Sequence, residues 1–176
     1  KSIGDWDISN IKTMKAMFSG ATSYNGSMSD WDVSNVTDMD SMFLGATSFN
    51  KSIGDWVVSN VTNMRSMFNG ATSFNKSLGE WDTTNVKNMV NMFLGASVFN
   101  RDISSWNVSN VTDMSAMFYS NQVYNQDISN WQPYNCLNFA SMFFGNQHMK
   151  LTNTELLLTD PDEDQEYNTK IIGAYF

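Results

Sequence analysis

The tryptophans constrain this chain more than any other feature. All six, Trp6, Trp31, Trp56, Trp81, Trp106 and Trp131, recur at intervals of 25 residues without a slip. A fixed period of this length is the signature of a tandem array, in which each unit buries its apolar face on its neighbours. Aligned in that frame, further columns emerge. Asn10, Asn35, Asn60, Asn85, Asn110 and Asn135 form one, and Phe18, Phe43, Phe68, Phe93, Phe118 and Phe143 form another, each of these preceded by methionine. An aromatic column runs Tyr24, Phe49, Phe74, Phe99, Tyr124 and ends in Met149. A second asparagine column, Asn25, Asn50, Asn75, Asn100 and Asn125, follows it. Stacked identical rings suit a ladder-like core, methionines fill the gaps between them, and asparagines satisfy backbone groups left over at turns.

The period predicts an α/β repeat solenoid of the leucine-rich-repeat kind, with one short strand and one short helical or 3₁₀ segment per 25-residue coil. Met39, Met42, Phe43 and Ala46 lie at i, i+3, i+4 and i+7, the spacing of one helix face, and Gly45 follows as a left-handed stop. The stretch from Phe49 through Ile53 to Trp56 is the expected strand. Residues 1–146 hold six units, and residues 147–176 read as an irregular C-terminal cap. Within that cap, residues 160–166 carry five of the chain's eighteen carboxylic acids and read as a solvated loop. Lys1 falls in mid-unit, as expected of an excerpt from a longer chain.

The run Trp31-Asp32-Val33-Ser34-Asn35-Val36-Thr37-Asp38-Met39, followed by Ser41-Met42-Phe43, Gly45-Ala46 and Ser48-Phe49-Asn50, resembles the BspA-type surface-protein repeat. The resemblance extends over six consecutive units, about residues 1–146. It implies a leucine-rich-repeat-like solenoid displayed at a cell surface, or at the surface of a virus particle, and used for adhesion. It carries no catalytic residues over to this chain.

Composition narrows the partners. A net charge of -8 and a pI near 4.4 disfavour nucleic acid. No apolar run is long enough to insert into a membrane as a helix. His148 has no partner at metal-ligand spacing, and no glycine-rich phosphate loop or nucleophile–base pair stands out, so no enzyme, cofactor or metal is expected. Cys136 continues the β-branched column of Ile11, Val36, Val61, Val86 and Val111 and reads as a buried small hydrophobe. The acidic column Asp5, Asp30, Asp55 and Glu80 could attract Ca²⁺ but reads better as solvated carboxylates, since no calcium-loop spacing accompanies it. Sequons at Asn25, Asn35, Asn50, Asn60, Asn75 and Asn110 arise because asparagine and serine or threonine are repeat residues.

One column changes from unit to unit while its surroundings stay fixed. Lys1, Gly26, Lys51, Lys76, Arg101 and Gln126 share it, and Lys51, Lys76, Arg101 and Gln126 are the candidate binding residues. The expected function is a surface-displayed, extracellular module that binds a protein or cell-surface ligand on its strand face. The alternative is a structural spacer, or a shell or filament component, joined to further repeats end to end.

Overall fold

The computed structural model describes residues 3–146, 148 and 149. Its organising feature is a division of labour along the backbone of each coil. Within residues 14–21 the amides of Met17, Ser19 and Ala21 fold back on the carbonyls of Met14, Ala16 and Phe18, three residues earlier. The alternate amides reach forward to the next coil: Met14, Ala16, Phe18 and Gly20 donate to Asp38, Asp40, Met42 and Leu44 at 2.7–2.8 Å. The same four bonds recur at each later junction, ending with Met114, Ala116, Phe118 and Ser120 donating to Asn138, Ala140, Met142 and Phe144. Successive units therefore lie one on another, with parallel bridges linking Thr13, Asp38, Asn63, Asn88, Asp113 and Asn138 in series.

This alternation demands an unusual backbone. Ala16, Ser41, Ser66, Asn91, Ala116 and Ser141 all have φ between 51° and 58°, in the left-handed region that costs an L-residue about 1–2 kcal/mol. Four residues on, Gly20, Gly45, Gly70, Gly95 and Gly145 occupy the same region at no steric cost, and Ser120 (φ 55°) takes the glycine's place in the fifth coil. Alternation of right- and left-handed residues prevents i to i−4 bonding. Among the described residues no stretch is helix and no extended strand forms.

The apolar pattern follows from the turns. Further tight turns close Met28 to Trp31, Val33 to Val36 and Ala46 to Phe49, each by an i+3 to i hydrogen bond. In each of them both end residues are buried. Three columns of stacked rings fill the interior. Consecutive Phe18-column rings lie 5.2–5.6 Å apart, and Phe43, Phe68 and Phe93 also pack on Phe49, Phe74 and Phe99 of their own coil at 4.0–4.2 Å. Trp56 is only 3% exposed, so the aromatic columns are core; Trp6, in the first described coil, is half exposed. Each indole is also tied to the preceding coil, as Trp31, Trp56, Trp81, Trp106 and Trp131 donate Nε1–H to the carbonyls of Ile3, Met28, Ile53, Leu78 and Ile103.

These observations correct two local expectations. The Met39–Ala46 spacing, which predicts a helix face, belongs to overlapping four-residue turns, because i, i+3 apolar spacing serves both. The strand expected between Phe49 and Trp56 is absent, and the bridge column lies instead at Asp38 and its equivalents. In the fifth coil Asn121 replaces the small alanine. Its buried Oδ1 accepts from the amides of Val123 and Tyr124, and its Nδ2 donates to the carbonyl of Phe99. The side chain thus does the work of the lost Ala-to-aromatic turn. The cap and acidic loop expected in residues 147–176 lie outside the described residues, apart from His148 and Met149.

The left-handed column makes a direct prediction. Ser120→Gly should raise the denaturation midpoint, with a gain on the order of 1 kcal/mol, because it relieves a strained φ. Gly45→Ala should lower it by a similar amount, although its Cβ would meet nothing closer than Gly20 Cα at 3.9 Å. Urea unfolding of both variants checks the pair; equal midpoints would show that the left-handed conformation carries no strain.

Candidate binding surface

With the backbone engaged between coils, the sides of the stack present side-chain ladders, and the two asparagine columns do so in opposite senses. In the first, Asn35, Asn60, Asn85, Asn110 and Asn135 donate Nδ2–H to the carbonyls of Ser9, Ser34, Ser59, Thr84 and Ser109 of the preceding coil at 2.7–2.9 Å. That leaves Oδ1 available, and at Asn35 it accepts from Lys12 Nζ at 3.1 Å. In the second, Oδ1 is the group consumed. Asn25, Asn50, Asn75 and Asn100 accept the backbone N–H of Asn50, Asn75, Asn100 and Asn125 at 3.0–3.2 Å. For Asn25, Asn50 and Asn75 the Nδ2 group has no acceptor among the described residues. One ladder thus offers acceptors and the other donors.

The candidate residues Lys51, Lys76, Arg101 and Gln126 come together beside the donor ladder. Each is the chain neighbour of a ladder asparagine, and the later two reach back onto the preceding coil. Arg101 Nε donates to the carbonyl of Asn75 at 2.9 Å, and Gln126 Nε2 donates to Asn100 Oδ1 at 3.0 Å. Lys51 and Lys76 are half-buried and Arg101 is exposed. Among the described residues none of the three cations joins an ion pair, whereas Lys15 pairs with Asp40 at 2.9 Å. This line lies about half a coil along the chain from the bridge column, so the candidate residues are not carried by a strand. At the head of the line Gly26 leaves room for Tyr24, whose Oη would lie 2.7 Å from a Cβ there.

A second, shorter acidic column, one residue past the tryptophans, is engaged locally. Asp7, Asp32 and Asp82 accept the amide N–H two residues on, from Ser9, Ser34 and Thr84, and bonds from the hydroxyls of these residues first, then from their amides, hold the carboxyls below the ordinary range. Asp102 and Asp127 do the same with Ser104 and Ser129, there with the amide bond first. Among the described residues no three His, Cys, Asp or Glu side chains are grouped to hold a metal ion. Of the sequon asparagines, Asn35, Asn60 and Asn110 use Nδ2 within the stack, whereas Asn25, Asn50 and Asn75 do not. Burial pushes the Cys136 thiol up to about 11, which keeps it protonated and unreactive at neutral pH. Two phenols lack partners: Tyr24 and Tyr124 carry buried hydroxyls with no hydrogen bond.

Comparison with known proteins yields one family. Residues 1–89 and 75–158 match the family described as Mycoplasma protein of unknown function, DUF285. No curated protein and no solved structure matches the chain.

The orphan phenol of Tyr124 is testable, because Phe49, Phe74 and Phe99 fill the same position without it. Tyr124→Phe should stabilise the array at pH 7, by about 1 kcal/mol, through loss of a desolvated hydroxyl. Burial, and then the carboxylates of Asp102 and Asp127, raise this phenol well above its ordinary value. The folded state therefore keeps a proton that the unfolded chain releases above about pH 10, so stability drains as pH rises past that point. Thermal melts from pH 8 to 11 should be flatter in the variant; parallel curves would refute the assignment. Cys136 is half-buried, so its alkylation at pH 8 should be slower in the native chain than after unfolding, and equal rates would contradict the raised thiol.

Proposed function

The chain belongs to the family described as Mycoplasma protein of unknown function, DUF285, and from that membership we propose that it is a surface-displayed adhesion module, a leucine-rich-repeat-like solenoid of the BspA type that binds a protein or cell-surface ligand. The observation that carries this reading is the contrast between invariant core and variable strip. Tryptophan, phenylalanine and asparagine columns repeat from coil to coil, while the Gly26, Lys51, Lys76, Arg101, Gln126 line changes at every step or two. A stack whose junctions are all alike is rigid along its length, and rigidity of the scaffold lowers the entropic cost of binding along its side. Variation at surface columns such as this one, over a core held constant, is how a repeat protein tunes recognition without altering its fold. The reading assigns no catalysis, and it places the working face on this line and not on a strand.

Capture experiments test it. The folded chain coupled to beads should retain intact cells or their extracellular proteins in a saturable manner. Replacing Lys51, Lys76 and Arg101 together by glutamate should reduce that capture at least several-fold. Capture unaffected by the triple variant would move the working face elsewhere. No capture, with concentration-dependent growth of ordered polymers, would favour the structural-spacer reading.

A further inference from the structure

We propose that the line of Lys51, Lys76 and Arg101, together with the outward amides of Asn25, Asn50 and Asn75, is a binding track for a linear acidic polysaccharide running along the stack. The proposal rests on the adhesion reading and names its ligand class.

The chemistry of the line is one-sided. Lysine and arginine side chains only donate hydrogen bonds. The asparagines would ordinarily offer both senses, but here each oxygen already accepts the amide of the next coil, while the N–H groups of Asn25, Asn50 and Asn75 are unspent among the described residues. The track is thus built of donors and positive charge on a chain whose net charge is -8. The cations recur once per coil. At a parallel-ladder spacing of about 4.8 Å, Lys51 to Arg101 covers about 10 Å. Like charges at that spacing repel, and with no ion-pair partner among the described residues the strip is relieved by an anion laid along it. Ser52 and Ser77 beside the lysines add hydroxyls that can give or accept bonds with sugar hydroxyls. The track has ends: Gly26 carries no cation, and beyond Arg101 the serine column becomes Asp102 and Asp127.

Other polyanions fit less well. Nucleic acid binding along a strand draws on exposed aromatic platforms for its bases. None of the exposed aromatic side chains, Trp6, Tyr134 and Phe144, lies within the columns that flank the track. A protein partner draws most of its affinity from buried apolar and aromatic anchors. Among the described residues, Val98 is the one large apolar side chain exposed within three residues of the track. A carboxylated or sulfated glycan needs neither, since its ring hydroxyls and acid groups match amides, hydroxyls and cations.

The test uses the full chain and defined probes: a heparin oligosaccharide, a hyaluronan oligosaccharide, neutral dextran, polyglutamate and single-stranded DNA. Calorimetric or surface binding should detect one of the acidic glycans saturably, weakening with added salt, with dextran silent. K51Q/K76Q/R101Q should weaken it on the order of tenfold. Asn75→Asp keeps the ladder oxygen but turns the outward donor into an acceptor, and should weaken binding several-fold. Both variants should retain the wild-type melting temperature and tryptophan emission, and Lys87→Gln, off the track, should bind as wild type. The inference is overturned if dextran binds equally, if the track variants bind unchanged, or if polyglutamate or DNA binds and no acidic glycan does. Should the charge variant lose cell capture while no glycan binds, adhesion stands and this ligand class falls. Should the glycan bind while cells are not captured, the track stands and adhesion falls.

Discussion

The left-handed residue at the centre of each coil, Ala16 and its equivalents, is the constraint on which the rest of the structure depends. It turns every second amide of residues 14–21 out of the coil and toward the next one. The strain is about 1–2 kcal/mol per coil, set against four inter-coil hydrogen bonds at about 1 kcal/mol each, so the balance favours stacking. A helix over the same residues would satisfy its own amides and leave nothing to join the coils but side chains. Here the backbone itself is the joint. Each coil needs the next to satisfy its amides, which is why the repeat is meaningful only as an array.

From this joint the core follows. A chain of four-residue turns brings residues i and i+3 to the same side, so Met28 with Trp31, Val33 with Val36 and Ala46 with Phe49 all point inward. One coil lies directly over another, so identical residues meet, and the aromatic columns stack with ring planes nearly parallel, as between Trp106 and Trp131 at 2°. The indole N–H, a polar group taken out of water, finds the carbonyl of the preceding coil at every step from Trp31 onward. That bond explains why this column holds tryptophan and not phenylalanine.

The period, the unit boundaries and the membership of the core were legible in the sequence, because six copies of a column leave little room for coincidence. The local conformation was not. An apolar i, i+3, i+4, i+7 pattern is shared by a helix and by consecutive tight turns, and Gly45 after the Met-Phe pair fits a helix stop as well as a left-handed turn residue. The deciding signal sat at Ala16, Ser41, Ser66 and Asn91, whose residue types do not announce a positive φ. The proposed binding line was visible as a column of changing residues. Its polarity was hidden, since Asn35 and Asn50 are the same letter with opposite ends turned outward.

That opposition has a backbone origin. In the first ladder a carbonyl of the preceding coil, such as that of Ser9, lacks an amide partner, so the asparagine above it presents Nδ2 inward. In the second the unpartnered group is an amide, that of Asn50, so the asparagine below presents Oδ1. Whichever end repairs the backbone, the other end faces solvent, and the surface inherits a sign from the fold beneath it. A lysine or arginine next to the donor ladder therefore extends a polarity already present. An aspartate there, as at Asp102 one residue further along, opposes it. Ligand preference in such an array can change by substitution at one outward column, because the repair bonds that hold the coils together are made by its neighbour.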